Sequence, residues 1–325
     1  MPAPDTNGYW IDAPGRGLVR TAKLRAPGAG DLVLRAQCTG ISPGTERMVG
    51  LGRVPATMDA TMAVPGMQGS FGLPLLYGYS FVGHILEGAR AGERVFTMHP
   101  HTTHAVVAAA ACVPLPADVP DARATLFPNL ETAVNAAWDA EIVEGEAVAV
   151  VGGGAVGLLT AFALASLTGV KVTLAEADPA RRALAARLPW LAGVVAPDDL
   201  PRGAFACALH ATGSEAGLQL AIDAVGFEGR VVDLSWYGDR AVSLRLGATF
   251  HHQRKTLRAS QVGSLARSHR PAGRAARTAI VLQLLGDVRL DTLLAAPVPF
   301  AATPVFFASL YRGEPTTPCP VVGYG

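Results

Sequence analysis

The sequence predicts an α/β protein in which a doubly wound parallel sheet is joined to a β-rich domain. A glycine-rich stretch near the middle of the chain follows a short apolar run and precedes a helical segment. Further apolar runs alternate with helical segments after it, which is typical of parallel sheets. The first 117 residues instead contain short apolar stretches divided by glycine and proline, which is typical of a β-rich domain.

The glycine-rich stretch is Gly152-Gly153-Gly154-Ala155-Val156-Gly157. It follows residues 147–151, which suit a buried strand, and precedes residues 158–167, which are rich in strong helix formers. In a G-x-G-x-x-G turn the glycines allow a tight bend, the approach of a pyrophosphate and close packing of helix on strand. The helix N-terminus then attracts the phosphates. We predict a Rossmann dinucleotide site that includes Gly152, Gly154, Ala155, Val156 and Gly157.

Elements after the turn strengthen this prediction. Residues 171–175 form the next apolar run, and Glu176 follows it at about the 20-residue offset of an acid that binds the adenosine ribose. Asp178 is expected to cap the next helix, with Pro179 at its first position. Residues 205–209 and 229–234 are predicted strands, separated by a helix over residues 215–225.

The acid bears on the choice of cofactor. Glu176 favours NAD, because a carboxylate would repel the extra phosphate of NADP. Arg181 and Arg182 lie close by and offer that phosphate a partner, so NADP stays open.

Composition gives further bounds. The 325 residues carry a net charge of +1, which gives no drive toward nucleic acid or membrane. Residues 1–5 do not begin a basic region followed by an apolar core, so no signal peptide is expected. Cys38, Cys112, Cys207 and Cys319 are scattered without C-x-x-C spacing, which indicates a reduced, cytoplasmic protein.

The chain divides into three predicted segments. Residues 1–117 form the β-rich domain, residues 118–294 the dinucleotide domain, and residues 295–325 a return to the first domain. Residues 54–74 are rich in proline, glycine and methionine, so we expect a long loop that borders a site. Residues 122–140 are helical in character, whereas residues 297–325 lack helix periodicity.

This order of segments resembles the medium-chain dehydrogenase/reductase superfamily, the alcohol-dehydrogenase-like enzymes. The anchors of the resemblance are residues 40–46 (GISPGTE), 77–83 (YGYSFVG), 91–95 (AGERV), the glycine turn and 210–214 (HATGS). Residues 42–46 are also similar to the S-x-G-T-E signature of the branch that contains bacteriochlorophyllide dehydrogenase. The likeness supports the branch and not the pigment substrate.

The resemblance implies a GroES-like substrate domain and transfer of hydride between NAD or NADP and a carbonyl, alcohol or activated alkene. It implies that Thr212, Ser235 and Val262 lie at strand ends that face the nicotinamide. It also implies a homodimer formed through strands of the nucleotide domain.

The sequence departs from the zinc-dependent members of the superfamily. Where they have a cysteine, a histidine and a glutamate, this chain has Ser42, Tyr79 and Ser80, and the place of the next ligand falls near residues 127–129. Hydroxyls are poor zinc ligands beside thiolate, imidazole or carboxylate. The four-cysteine lobe that binds a structural zinc in many relatives is absent as well. We therefore expect no zinc.

A cluster of histidines offers an alternative metal site. His99, His101 and His104 form an H-x-H-x-x-H pattern, and the first two would share a face of an extended segment. Pro100 between them and the lack of a nearby acid argue against a metal. Loop histidines or substrate contacts are the favoured interpretation.

Without a Lewis acid, hydrogen-bond donors must carry the negative charge that develops on a substrate oxygen. Tyr79 is the first candidate for the proton donor, Ser42 and Thr45 are further donors, and Glu46 orients them or relays a proton. The structural alternatives are a packed aromatic for Tyr79, turn residues for Ser42 and Thr45, and an ion pair of Glu46 with Arg47.

Two features leave the function open. No acidic residue occurs from residue 240 to residue 286, a stretch that contains Arg245, Arg254, Lys255, Arg258, Arg267, Arg270, Arg274 and Arg277. Such a run forms either a solvated face or a basic patch for an anionic substrate, a cofactor phosphate or a protein partner, and the lack of interleaved aromatics disfavours nucleic acid. The missing zinc ligands also fit a non-catalytic NAD(P)-binding redox sensor or subunit.

Overall fold

A computed structural model of the chain describes residues 6–325. Residues 1–5, on which the expectation of no signal peptide rests, lie outside the described residues. The chain forms two compact units, one of residues 6–128 with Leu285–Gly325 and one of Asn129–Leu284.

The boundaries of the two units differ from those predicted. The structure assigns residues 118–128 and 285–294 to the first unit, whereas the sequence placed both in the dinucleotide domain. The physical reason is an ion pair between these two segments, in which Arg123 Nη2 lies 2.6 Å from Asp291 Oδ2. In addition, the Ser80 hydroxyl donates to the Thr125 carbonyl at 2.7 Å.

The strands run in chain order as β1 Thr6–Ala13, β2 Arg16–Ala22, β3 Asp31–Gly40, β4 Gln68–Gly69, β5 Leu75–Leu76, β6 Phe81–Ile85, β7 Arg94–Thr97, β8 His104–Ala108, β9 Val113–Pro114, β10 Val148–Val151, β11 Val172–Ala175, β12 Leu191–Val195, β13 Phe205–His210, β14 Val225–Asp233, β15 Thr256–Ala259, β16 Val298–Pro299 and β17 Val321–Gly323.

The helices are α1 Pro43–Gly50, α2 Asp59–Met62, α3 Asp121–Ala124, α4 Phe127–Ala140, α5 Ala155–Thr168, α6 Pro179–Ala185, α7 Glu215–Ala224, α8 Gly273–Leu285 and α9 Thr303–Arg312. None of the helices within residues 6–325 combines the length and the apolar character needed to cross a membrane.

The second unit contains a six-stranded parallel sheet with the strand order β12-β11-β10-β13-β14-β15. Numbered from β10 onward this is the order 3-2-1-4-5-6 of a doubly wound dinucleotide fold. All four residues of the central strand β10 are buried, as expected for a sheet covered on both faces. The predicted α/β class is confirmed. The strand order reverses between β10 and β13, and ligands bind at such a point outside the carboxyl ends of the strands.

The first unit is β-rich, as predicted. It contains a four-stranded sheet, β2-β1-β5-β4, and a seven-stranded sheet, β16-β17-β3-β6-β7-β9, in which β8 also pairs with β3. Leu34, Phe81, Val95 and Ala105 belong to a core cluster beneath the larger sheet. The return segment does pair with the first domain, because Val321 of β17 lies opposite Gly40 of β3.

Two local predictions for the first unit need correction. Residues 297–325 contain the helix α9, in which Phe307, Leu310 and Tyr311 are buried at helical spacing. Thr303 and Pro304 at its start supply the usual signal for a helix N-terminus, which the proline-rich context obscured. Residues 54–74 are not one loop, since they contain the short helix α2 and the strand β4. The first domain also contains the helix α1, directly after the Gly40 anchor.

Candidate functional site

The three motif glycines of the turn each have a different physical role. Gly152 has φ +110°, and a Cβ there would lie 3.0 Å from the Ala211 carbonyl oxygen at the end of β13. A Cβ on Gly157 would lie 1.8 Å from the Gly152 carbonyl oxygen, so only glycine lets the helix α5 pack this closely. Gly154, in contrast, faces open space, with no heavy atom within 4 Å of its Cβ position.

The open side of Gly154 coincides with the start of a helix. Gly154 is the N-cap of α5, which begins at Ala155, and no side chain caps this end. The first-turn amides, including those of Ala155 and Val156, and the positive end of the helix dipole are therefore available to an anion. This arrangement fits a pyrophosphate, and a side chain at residue 154 would occupy the space it needs.

Glu176 is built into the glycine turn. Its Oε2 accepts a hydrogen bond from Gly153 N at 2.6 Å, and its Oε1 accepts one from Asp178 N at 2.8 Å. Each carboxylate oxygen has a second lone pair, so the group retains acceptor capacity for ribose hydroxyls. Asp178 caps α6 by accepting from Arg181 N, as predicted.

The two arginines beside this acid differ in their contacts. Arg182 donates to the carbonyls of Glu176 and Ala177, at 2.9 and 2.6 Å, and is thereby committed to the backbone. The Arg181 residue is exposed. Arg181 is therefore the better placed of the two to meet an added phosphate.

Thr212 and Ser235 lie together at the carboxyl ends of β13 and β14. Ser235 Oγ accepts from Gly213 N at 3.0 Å, and Thr212 Oγ1 lies 2.6 Å from His210 Nε2. His210 Nδ1 lies 2.9 Å from Asp233 Oδ1. Sequence reasoning gave no role to His210 or Asp233, although both end strands that it had predicted.

Val262 lies in the loop after β15, and two arginines of the acid-free run hold this loop. Arg277 donates to the Val262 carbonyl at 2.7 Å, and Arg274 donates to the Gly263 carbonyl at 2.7 Å. Arg277 also pairs with Glu131, at 3.1 Å.

Other cations of the run are similarly engaged. Arg254 pairs with Glu228 at 2.7 Å, and Arg258 pairs with Glu141 at 3.0 Å. The Lys255 ammonium is buried on the Ile222 carbonyl at 2.8 Å. Many of these charges are therefore matched by acids or carbonyls of the same unit.

In the first unit the four predicted catalytic residues form one cluster. The Tyr79 hydroxyl lies near the side chains of Ser42 and Thr45, and burial followed by the charge of Glu46 raises the pKa of Tyr79 to about 12. Glu46 Oε1 accepts from Ser42 N at 2.8 Å, which fixes the carboxylate at the first turn of α1. The structure thus brings together Tyr79, Ser42, Thr45 and Glu46.

The partner of Glu46 was not foreseen. Glu46 Oε2 lies 2.8 Å from His101 Nε2, while Arg47 turns away and donates to the Leu310 carbonyl at 3.1 Å. The proposed ion pair with Arg47 is therefore wrong. So is the statement that the histidine cluster lacks a nearby acid, because Glu46 precedes His101 by 55 residues in sequence and meets it only in the fold.

The His101 ring is held from several sides. Its Nδ1 lies 2.7 Å from Thr39 Oγ1, whose hydroxyl in turn lies 3.1 Å from the Tyr324 hydroxyl. A Cβ on Gly78 would lie 2.8 Å from His101 Cδ2, so this glycine lets the segment that carries Tyr79 pass directly over the ring.

The other two histidines of the cluster point to separate partners. His99 Nδ1 lies 3.1 Å from Thr102 Oγ1, and the ring packs edge-on against Phe81. His104 Nδ1 lies 3.2 Å from Thr103 Oγ1. Across the described part of the chain, residues 6–325, no group of three or more histidine, cysteine or acidic residues is arranged to hold a metal ion.

The residues at the zinc-ligand places have other uses. Ser42 and Tyr79 belong to the hydroxyl cluster, and the Ser80 hydroxyl donates to the Thr125 carbonyl. The donor set at these places is therefore made of neutral hydroxyls, which does not fit a zinc ion.

Comparisons with known proteins place this geometry in context. No family model matches the chain. A 2-desacetyl-2-hydroxyethyl bacteriochlorophyllide A dehydrogenase from Cereibacter sphaeroides is 36% identical over 83 residues, which cover 24% of this chain and 23% of that protein. The matched segment thus spans less than a quarter of the curated relatives it matches.

Solved structures match over nearly the whole length. A zinc-binding dehydrogenase from Sinorhizobium meliloti 1021 bound to NADP gives a TM-score of 0.77 at 16% identity, covering 98% of this chain and 99% of that chain. An alcohol dehydrogenase from Escherichia coli CFT073 complexed with NADH gives 0.76 at 16% identity, covering 98% and 99%. The predicted resemblance is therefore confirmed at the level of the fold, which the chain shares with these dehydrogenases.

Proposed function

We propose that this protein is a zinc-independent, NAD(P)-dependent oxidoreductase that transfers hydride between the nicotinamide and a carbonyl, alcohol or activated alkene of a small molecule. The observation that carries the proposal is the glycine turn, where Gly154 leaves an open side at the uncapped start of α5. The turn stands where the strand order reverses, which is the ligand position in such sheets.

The residues of the second unit fit a dinucleotide. The amides that follow Gly154 would hold the pyrophosphate, and Glu176 would accept from the adenosine ribose. When bound, the nicotinamide supplies or accepts the hydride. The loops that contain Thr212, Ser235 and Val262 would position that ring.

Glu176 supports NAD as the preferred cofactor. Its buried carboxylate would repel an added phosphate, although Arg181 stands exposed beside it and leaves NADP open. The relatives with solved structures include one bound to NADP and one to NADH, which supports a nicotinamide cofactor without deciding between the two.

Tyr79 is the proposed proton donor to the substrate oxygen. Its raised pKa, about 12, keeps the phenol protonated across the physiological range, so a proton is always present to donate. Ser42 and Thr45 hold the phenol oxygen in place and add donors near it. The negative charge of Glu46 disfavours a tyrosinate, and this favours transfer of the proton only when the substrate oxygen becomes strongly basic.

The proposal of zinc independence rests on the chemistry of the donors. Ser42, Tyr79 and Ser80 would offer neutral hydroxyls, and zinc prefers thiolate, imidazole and carboxylate. We expect purified protein to contain far less than one zinc per chain and to keep its activity in a chelator. Stoichiometric zinc in metal analysis, with activity lost on its removal, would overturn this part of the proposal.

The whole proposal is tested by titration with NAD and NADP, followed by oxidation of NAD(P)H with a panel of quinones, enones and aldehydes. We expect binding of at least one nucleotide and turnover with a member of the panel. Binding without any turnover would favour the non-catalytic redox sensor or subunit. No heat with either nucleotide would refute both.

Finer expectations accompany the proposal. The edge strand β15 ends the six-stranded sheet and exposes Leu257, which supports a homodimer through this unit. Sedimentation of the purified protein tests this. The four cysteines are buried and free, which supports a reducing, cytoplasmic location. Arg245 is exposed, and its distance of 4.0 Å to Asp223 is long for an ion pair. It is therefore a candidate contact for an anionic substrate.

A further inference from the structure

A continuous chain of hydrogen bonds joins β14 to the start of α7 in the second unit. It runs from Asp233 through His210 and Thr212 to Ser214, with distances of 2.9, 2.6 and 2.8 Å between successive side chains. Ser214 Oγ accepts from Gly217 N at 3.1 Å, which completes the chain at the helix N-terminus. His210 is fully buried, with 0% of its surface exposed.

One end of this chain has a defined direction. Burial opposes the charge of Asp233, but hydrogen bonds from His210 and Ser235 outweigh it and hold the pKa of the carboxyl below its usual value. An ionised carboxylate only accepts, so His210 donates from Nδ1 to Asp233. Thr212 Oγ1 lies at hydrogen-bond distance from His210 Nε2 and also accepts from Ser214 N at 3.1 Å. Each side chain between Asp233 and Ser214 therefore has a polar partner on both sides.

These contacts fix the orientation of Thr212. Its hydroxyl is directed to His210, while its methyl group faces the glycine turn, 2.9 Å from the position of a Cβ on Gly152. A Cβ on Gly217 would lie 2.2 Å from Thr212 Oγ1, so a glycine is required for α7 to come this close.

The loop of residues 212–214 is held at its backbone as well. Gly213 N donates to Ser235 Oγ at 3.0 Å, and Arg240 donates to the Gly213 carbonyl at 2.7 Å. Asp233 fixes the residues that make these contacts, because it also accepts from Ser235 N and from the Tyr237 hydroxyl, each at 3.0 Å. The loop is therefore held by hydrogen bonds to its backbone as well as to its side chains.

The position of this loop identifies the part of a dinucleotide it would meet. A doubly wound sheet consists of two mononucleotide-binding halves. Glu176 ends β11 in the first half, where the adenosine is expected. Thr212 follows β13, the first strand of the second half, beside the glycine turn of β10.

We propose that the Asp233–His210 pair is a positioning unit for the nicotinamide half of the cofactor, which acts by holding the loop of residues 212–214 in one conformation against the glycine turn. The inference rests on the proposed function. Its consequence is selective, because loosening this loop weakens binding of the nicotinamide half and leaves the adenosine and pyrophosphate contacts intact.

The test compares NAD with ADP-ribose, which retains the adenosine and the pyrophosphate but lacks the nicotinamide ring. Asp233→Asn removes the acceptor at the end of the chain, and Thr212→Val removes one hydroxyl while it preserves the shape of the side chain. We expect each substitution to raise the Kd of NAD about tenfold, as the loss of a hydrogen bond to a charged or buried partner implies. The Kd of ADP-ribose should change less than about twofold.

Glu146→Gln is the matched control. Glu146 pairs with Arg230, three residues before Asp233 on β14, and lies outside the hydrogen-bonded chain that ends at Ser214. We expect it to lower the thermal midpoint without changing either Kd. If Asp233→Asn fails to fold, Thr212→Val decides the question.

Two results would overturn the inference. Equal weakening of NAD and ADP-ribose would mean that the chain supports the fold alone, and unchanged affinity for both would mean that it has no role in binding. Failure of the unsubstituted protein to bind NAD, NADP or ADP-ribose is a different outcome, since it would refute the proposed function itself.

Discussion

Each unit contains a buried histidine paired with a carboxylate, and the two pairs are built differently. In the first unit His101 and Glu46 are both enclosed, with 1% and 4% of their side chains exposed. In the second unit His210 is enclosed, but Asp233 keeps 12% of its side chain exposed. The partners of Asp233 include Ser235 N and the Tyr237 hydroxyl besides the histidine, whereas Glu46 depends on Ser42 N and His101.

This difference shows how the surroundings of a buried acid decide what it can do. Burial, with a smaller contribution from the charge of Glu46, raises the pKa of Tyr77, Tyr79 and Tyr324. These phenols therefore stay protonated. The charge of Asp233 instead orients His210, and His210 holds the loop of residues 212–214 through the hydroxyls of Thr212 and Ser214.

The largest difference between the pairs should appear in stability. His101→Leu leaves Glu46 buried without its main partner, and such a loss costs about 3–5 kcal/mol. His210→Leu leaves Asp233 with its other donors and partial exposure, and should cost about 1–3 kcal/mol. Urea unfolding of both variants measures the free energies of unfolding.

A control separates loss of charge pairing from loss of packing. Adding Glu46→Gln to His101→Leu removes the uncompensated charge and should restore part of the stability. If the double variant were no more stable than His101→Leu alone, the account of Glu46 as a buried charge held by His101 would be wrong.

A third buried histidine sharpens the comparison, because its ring contacts include no acid. His99 contacts Thr102, the Pro100 carbonyl and Phe81, and burial lowers its pKa to about 4. In the unfolded chain His99 binds a proton as the pH falls below about 6.5, whereas in the folded chain it stays neutral until about pH 4. His99 therefore costs no stability above pH 6.5, and stability falls by up to roughly 3 kcal/mol as the pH drops toward 4.

His99→Phe tests this by removing the titrating group while it keeps a ring against Phe81. We expect a flatter loss of the free energy of unfolding between pH 6.5 and pH 4 than in the unsubstituted protein. Identical acid profiles would show that His99 does not carry the effect.

The proton donor can be tested within one pair of neighbouring tyrosines. Tyr79→Phe removes the hydroxyl near Ser42 and Thr45, and we expect kcat to fall about 100-fold, as the loss of a general acid implies. Tyr77→Phe alters the adjacent ring, whose centroid lies 6.1 Å from that of Tyr79, and should leave kcat nearly unchanged. Equal effects of the two substitutions would remove Tyr79 from the proposed role.

The glycine turn and Glu176 could be predicted because their residues carry a contiguous motif and a fixed offset along the chain. The parallel sheet followed from the same local alternation of strand and helix. The proposed catalytic residues, at positions 42–46 and 79, were predicted only through the resemblance. His101 and His210 were not assigned, because the acids that give them a role lie 55 and 23 residues away in sequence. Periodicity in one segment carries no information on such pairings.

The domain boundaries failed for a related reason. The bond of Ser80 to the Thr125 carbonyl spans 45 residues and the pair of Arg123 with Asp291 spans 168, so the segments that they hold have no local signal for their place. The helix α9 differs from these cases, since Thr303, Phe307, Leu310 and Tyr311 already show the spacing of a buried helix face.

The central claim, that a pyrophosphate is bound at the open side of Gly154, is tested most directly by Gly154→Ala. A Cβ there meets no atom of the protein, so the fold should keep its thermal midpoint while the Kd of NAD or NADP rises at least about tenfold. Gly193→Ala, which also adds a Cβ in open space, is the matched control and should change neither quantity. Nucleotide binding by Gly154→Ala at the affinity of the unsubstituted protein would contradict the claim.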